Sequence, residues 1–265
     1  MTIYPNTTLY VALALYAIGT LTALASLFIA DKRLQTAGLV TMIGGWISHT
    51  IWIGMICTIT GHPPLTNLPE AMSFVAWTVF GVELVLLAIY RVQAASFFVY
   101  PLVLILLTIT AVVREPFARI DPTRRSLVFI AHVLFTTVGV AALLIGVAFI
   151  YLAYAQDRAL KSKHRGRLWE WIPSLSVCKT ISYRALAIGF SIYTAGIVTG
   201  IVWSYRTTAG LMELRIKQVS AVIAWILFAL VLQSALGGML RTRRTMLVSA
   251  CAVIAVVVAM LGIHV

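Results

Sequence analysis

Gly61-His62-Pro63-Pro64-Leu65-Thr66-Asn67-Leu68-Pro69-Glu70-Ala71-Met72-Ser73-Phe74-Val75-Ala76-Trp77 is a polar turn set between two apolar runs. Each run is long enough to cross a bilayer, because about 20 apolar residues span a hydrocarbon core of roughly 30 Å. Counting such runs outward from this turn gives eight, near 8–30, 36–60, 71–91, 95–113, 126–155, 183–205, 217–238 and 245–264. The fold class this predicts is all-α: a polytopic membrane protein, a bundle of about eight transmembrane helices, with residues 1–265 forming a single integral membrane domain.

Composition supports the same solvent. Of the 265 residues, 61% are hydrophobic and 11% are charged, far from the roughly 25% charged of soluble domains. The first run is preceded by Met1-Thr2-Ile3-Tyr4-Pro5-Asn6-Thr7-Thr8, which has no Lys or Arg and so lacks the charged start of a signal peptide. It is expected to remain as a spanning helix.

A net charge of +12 would suggest nucleic acid in a soluble protein. In a membrane chain the cations are read loop by loop, and no nucleic-acid partner is expected. Loops after the first, third, fifth and seventh runs hold Lys32, Arg33, Arg91, Arg158, Lys161, Lys163, Arg165, Arg167, Lys179, Arg184, Arg241, Arg243 and Arg244. The alternate loops hold Arg114, Arg119, Arg124, Arg125, Arg206, Arg215 and Lys217. The positive-inside rule puts the richer set in the cytoplasm. Both termini and the Gly61 to Glu70 turn then lie outside, and a cytoplasmic basic loop occupies about 156–182, a feature that ordinary topogenic and lipid-headgroup charge explains.

Catalytic signals are sparse. Cys57, Cys178 and Cys251 stand apart and form no Cys-x-x-Cys pair. Phosphate-loop, nucleophile-elbow and zinc-protease patterns are absent, and eight acidic residues leave little stock for acid/base chemistry. An enzyme is the less favoured reading.

Polar residues at membrane depth need a reason, since a charge near the bilayer centre costs at least about 2.5–3.5 kcal/mol on insertion scales. His49 in the second run and Glu83 in the third are two such residues. Each is expected to face the bundle interior and pair with the other or with a buried hydroxyl. For His49 the alternatives are a neutral imidazole giving one hydrogen bond to a neighbouring helix, or a haem or quinone contact. For Glu83 they are a structural hydrogen bond or protonated carboxyl, or a proton relay. His132, in Phe129-Ile130-Ala131-His132-Val133, lies one to two turns into the fifth run, where an imidazole reaches the outer interface. Neutral histidine is a common axial ligand of haem iron.

Taken together, the quoted turn resembles the loop after the second helix in the cytochrome c assembly superfamily (CcsA, ResC and CcmC, with HemX-like relatives), which has Gly-x-Pro-(Leu/Pro)-x-Asn-x-x-Glu followed by Phe-x-x-Trp. Arg158-Ala159-Leu160-Lys161-Ser162-Lys163 with Ile172-Pro173-Ser174-Leu175 is similar to a motif of the HemX-like branch. Tyr183 to Phe190 and Gly196-Ile197-Val198-Thr199-Gly200-Ile201-Val202-Trp203 resemble the family's glycine-rich helix. Gly189, Gly196 and Gly200 share nearly one face, which close helix packing also explains. The matches run from about Trp46 to Trp225.

The resemblance implies haem handling in cytochrome c biogenesis, with His132 at the position of an external haem-iron ligand. His49 and His264 are the further candidate haem contacts, with His62 or an exogenous group also available as a second ligand. Implied partners are membrane lipid, other cytochrome c assembly proteins and apocytochrome; the implied location is a bacterial-type inner membrane. Three features depart from the pattern. The tryptophan-rich outer segment, Trp-Gly-x-x-Trp-x-Trp-Asp-Pro-Lys-Glu, is replaced by Thr208 to Gln218, of which only Lys217 matches. Gln233 stands where the seventh helix usually carries histidine, and the motif that brings the second external histidine is missing. Met212 as a thioether ligand is a coincidence of position. The departures point to a HemX-like accessory protein or regulator of haem biosynthesis, or to a structural subunit of a respiratory complex without cofactor, in place of an autonomous synthase.

Overall fold

The computed structural model describes residues 6–29, 31–61, 64–65, 67–113, 126–162, 172–207, 216–238 and 242–261. Regular structure among these residues is entirely α-helical: α1 (Asn6–Ile29), α2 (Lys32–Thr60), α3 (Leu68–Tyr90), α4 (Ser96–Val112), α5 (Leu127–Ser162), α6 (Leu175–Thr207), α7 (Ile216–Leu236) and α8 (Arg243–Leu261). Seven are long and apolar enough to cross a membrane; α4 is shorter, at 17 residues. The chain is therefore a polytopic, all-helical membrane protein. Large apolar side chains lie bare on its surface, Phe28 at 78% and Leu127 at 83% exposure among them. Such exposure costs nothing when the solvent is lipid.

Two helix ends differ from the sequence expectation. α5 runs past 155 to Ser162, and α6 begins at Leu175 instead of 183. Hydropathy reports where lipid ends, not where a helix ends. The polar extension of α5 is supported by an Asp157–Lys161 ion pair at 2.8 Å, and Ala159, Cys178, Ile181 and Ser182 are buried. The expected basic loop of about 156–182 is thus helical at both ends, and 163–171 lie outside the described residues.

Packing groups the chain into two compact units, residues 1–120 and 121–265. In the first, the fold-deciding turn works through its caps. Gly61 ends α2 at φ 72°, a left-handed conformation that glycine adopts without penalty. Asn67 then accepts from the Glu70 N–H at 2.9 Å, and its amide reaches the Glu70 carboxyl at 3.3 Å. With Pro69 in the first turn, Asn-x-x-Glu is a capping arrangement that satisfies one of the orphan donors of α3, the Glu70 N–H. Trp46 stacks on Trp77 with centroids 5.4 Å apart. Trp46 Nε1 donates to the Trp77 carbonyl at 3.0 Å, and Trp77 Nε1 to Thr50 Oγ1 at 2.8 Å, which clamps α2 to α3. α1 and α2 approach so closely that a Cβ on Gly38 would lie 3.0 Å from the Gly19 carbonyl oxygen.

The second unit is organised by one antiparallel seam. Along α5, Phe129, His132, Thr136, Gly139, Leu143 and Gly146 recur at alternating spacings of three and four, the heptad pattern of a helix-helix seam. Their partners on α6 run the other way: Trp203, Gly200, Gly196, Tyr193, Gly189 and Leu186. Wherever one side carries glycine the other carries bulk or backbone. A Cβ on Gly139 would meet the Tyr193 nitrogen at 2.6 Å, and one on Gly146 the Leu186 Cγ at 2.9 Å. Without a hydrophobic drive inside lipid, such close contact supplies dispersion attraction as the main adhesive. α7 and α8 complete this core with Ala224, Phe228, Val231, Ala252 and Val256.

Candidate functional site

His132 is the sixth residue of α5, whose start is capped by Ser126: the Phe129 N–H donates to its Oγ at 3.3 Å. The helical register turns His132 toward α6, where Gly200 removes the side chain that would otherwise occupy the space of the ring. The half-buried imidazole then donates from Nδ1 to the Gly196 carbonyl at 2.7 Å. A carbonyl oxygen can only accept, so this contact places the proton on Nδ1 and the lone pair of the neutral ring on Nε2. Thr136 Oγ1 lies 3.4 Å from Nδ1 and donates to the His132 carbonyl at 2.6 Å. Thr199 Oγ1 also donates to the Gly196 carbonyl, at 2.9 Å. At the same end of the hairpin the Phe129 and Trp203 rings pack with centroids 5.0 Å apart and planes tilted 47°.

His49 has a different setting. It is fully buried, with Nε2 2.7 Å from Ser73 Oγ and Nδ1 3.4 Å from the Tyr16 hydroxyl. Three helices, α1, α2 and α3, meet on this ring. Glu83 Oε1 accepts from Ser96 Oγ at 2.6 Å. Of the pairings expected for these two residues, the structure shows the buried-hydroxyl one for each. Gln233 is exposed on α7. His264, His62, Met212 and most of Thr208 to Gln218 lie outside the described residues, and so does the side chain of Lys217.

Among the described residues no group of three or more His, Cys, Asp or Glu side chains gathers to hold a metal. At the α5–α6 end one imidazole has its Nδ1 held by a backbone carbonyl, the setting that metal-bound histidines usually have, and it could serve as an axial ligand. That donor set fits haem, whose porphyrin brings its own four nitrogens to the iron. His132 would be the one protein ligand there, beside the Phe129 and Trp203 rings.

Fold and site together define a polytopic helical membrane protein with an imidazole near one end of the α5–α6 hairpin. The family model described as "Cytochrome C assembly protein" matches residues 65–265, and the chain belongs to that family. It is similar to the cytochrome c biogenesis protein CcsA of Mesostigma viride, 24% identical over 227 residues, which cover 77% of this chain and 74% of the relative. CcsA of Synechococcus sp. (strain CC9311) is 23% identical over 262 residues, 87% and 86% of the two chains. Protein HemX of Bacillus subtilis (strain 168) is 23% identical over 186 residues, 69% and 67% of the two.

Sequence reasoning singled out His132 but missed the aromatic pair beside it. The signal was present in the spacing: Phe129 is one turn from His132 on α5, and Trp203 is one turn from Gly200 on α6. Gly139 and Gly146 were legible in the same way, as heptad steps from His132.

Proposed function

We propose that this protein is an integral membrane haem-handling or accessory protein of cytochrome c biogenesis, with His132 as its haem-iron ligand. The observation that supports the reading is the 2.7 Å hydrogen bond from His132 Nδ1 to the Gly196 carbonyl, which makes Nε2 the nitrogen that carries the neutral ring's lone pair. Haem is the cargo here, and the residues hold, orient and partly shield it. The Phe129 and Trp203 pair supplies aromatic surface for a flat ring, in part replacing the platform missing from Thr208 to Gln218. Membrane lipid and other assembly proteins or apocytochrome are the partners that this role implies. Both termini and the Gly61 to Glu70 turn face the outside of a bacterial-type inner membrane. Cysteines placed at Thr66 and Ser162 in a cysteine-free background should react with an impermeant reagent from opposite sides, and labelling of position 162 from outside intact cells would reverse the orientation.

A second reading, a HemX-like regulator of haem biosynthesis, is favoured by Gln233, which has no imidazole and lies exposed. His264 and His62 are proposed second ligands, and His49 a contact of lower rank because its ring already serves Ser73 and Tyr16. Retention without the full aromatic platform should be weaker by several kcal/mol, taking about 1–3 kcal/mol for each lost stack. The chain is accordingly expected not to replace a complete synthase. Expression in a strain lacking its own assembly protein, followed by staining for covalent haem on c-type cytochromes, tests this. No mature cytochrome is expected, and its recovery would restore the synthase reading.

A further inference from the structure

We infer that Gly196 and Gly200 are positioning residues for His132: the first sets its tautomer through a backbone carbonyl, the second admits its ring. This deepens the reading of His132 as a ligand and rests on it. Glycines in a membrane helix usually serve backbone approach, and Gly139, Gly146 and Gly189 do so here. Gly200 does something else. A Cβ built on it would lie 2.6 Å from His132 Cε1 and 2.7 Å from Nδ1, so alanine would displace the imidazole itself. Nothing else on that part of the helix crowds it: the nearest heavy atoms to that Cβ all belong to the His132 ring.

Gly196 contributes differently. A Cβ on it would meet Thr136 Oγ1 at 2.7 Å and Thr136 N at 2.9 Å, and that closeness brings the Gly196 carbonyl within 2.7 Å of Nδ1. The same carbonyl also accepts from Thr199. Because it is backbone, its position is fixed by the helix and cannot rotate away as a side-chain acceptor could. A neutral histidine ring that donates from Nδ1 carries its lone pair on Nε2. Metal-ligating histidines are tuned by such a bond, and losing it commonly costs about 10- to 100-fold in metal affinity.

The test uses the full-length protein in lipid nanodiscs, labelled with ¹⁵N-histidine, and compares the wild type with Gly200→Ala and Gly189→Ala. The His132 resonances are assigned by their absence in His132→Asn. Gly189→Ala is the packing control, since its Cβ would meet Leu143 N at 2.9 Å and Ala142 Cβ at 3.0 Å and strain the same seam away from the imidazole. Wild type and Gly189→Ala should show protonated Nδ1 and unprotonated Nε2. Gly200→Ala should lose that signature, and its affinity for added hemin should fall by about 10- to 100-fold. A wild type protonated at Nε2 would overturn the inference, and so would a Gly200→Ala variant that keeps both tautomer and hemin affinity. An equal loss of the tautomer in Gly189→Ala would also overturn it, since general loosening of the seam would then suffice. If the wild type takes up no hemin, the haem reading fails, and the tautomer comparison still decides the positioning.

Discussion

His49 and His132 are both histidines in apolar helices, and the structure treats them in opposite ways. His49 is fully buried and gives both nitrogens to side-chain hydroxyls, Ser73 and Tyr16. His132 is half-buried, and its Nδ1 donates to a backbone carbonyl of the facing helix. The first arrangement spends the imidazole on joining three helices. The second aims it. Membrane depth therefore does not decide whether an intramembrane histidine serves stability or binding. What sets the two apart is the kind of partner, side-chain hydroxyls for His49 and a backbone carbonyl of the facing helix for His132.

The largest effect that tests this contrast is on stability. His49→Ala should cost about 3 kcal/mol, from the cavity and from the stranded Ser73 and Tyr16 hydroxyls. His132→Ala should cost about 1 kcal/mol, since its ring is only partly buried and the lost bond to the Gly196 carbonyl is modest in net worth. Denaturant titration of the purified protein measures both, and equal costs would erase the distinction.

Next in size is the seam that presents His132. Gly139→Ala forces a Cβ to within 2.6 Å of the Tyr193 backbone nitrogen and should destabilise by about 1–3 kcal/mol through overpacking. Gly54→Ala in α2 has nothing within 4 Å of the new Cβ. It should be neutral or stabilise by up to about 1 kcal/mol through helix propensity. Thermal unfolding of the two variants side by side checks this, and a Gly139→Ala variant as stable as Gly54→Ala would show that the seam glycine acts through propensity alone.

The smallest effect concerns the partner of His49. Ser73→Ala removes the 2.7 Å bond to Nε2 and should cost about 0.6–1.7 kcal/mol, the range found for hydrogen bonds between membrane helices. A double-mutant cycle with His49→Ala measures the coupling. Strict additivity would mean that the two side chains act separately.

The spans were legible in the sequence because lipid imposes a long apolar run on each helix, and because Gly61, Asn67 and Glu70 punctuate the second and third helices by local capping chemistry. The ends of α5 and α6 were not legible. The α6 extension is held by a partner distant in sequence, Ser182 donating to the Gly146 carbonyl at 3.0 Å, and the α5 extension by the Asp157–Lys161 pair, which a hydropathy count passes over. At the site, His132 was visible as a polar residue at an interface. Its acceptor was not, since a backbone carbonyl has no residue-type signature and Gly196 reads equally well as a packing residue. The division into two units was likewise invisible, because hydropathy counts helices without saying which of them touch.

The central proposal is that His132, held by the backbone of the facing helix, is the haem ligand, and that His49, which joins three helices, is structural. Hemin titration of wild type, His132→Ala and His49→Ala, read as the Soret band per folded protein, tests it most directly. The band should form in the wild type, vanish in His132→Ala, and persist in whatever fraction of His49→Ala remains folded. A band that survives in His132→Ala and is lost from folded His49→Ala would contradict the account and move the site into the first unit.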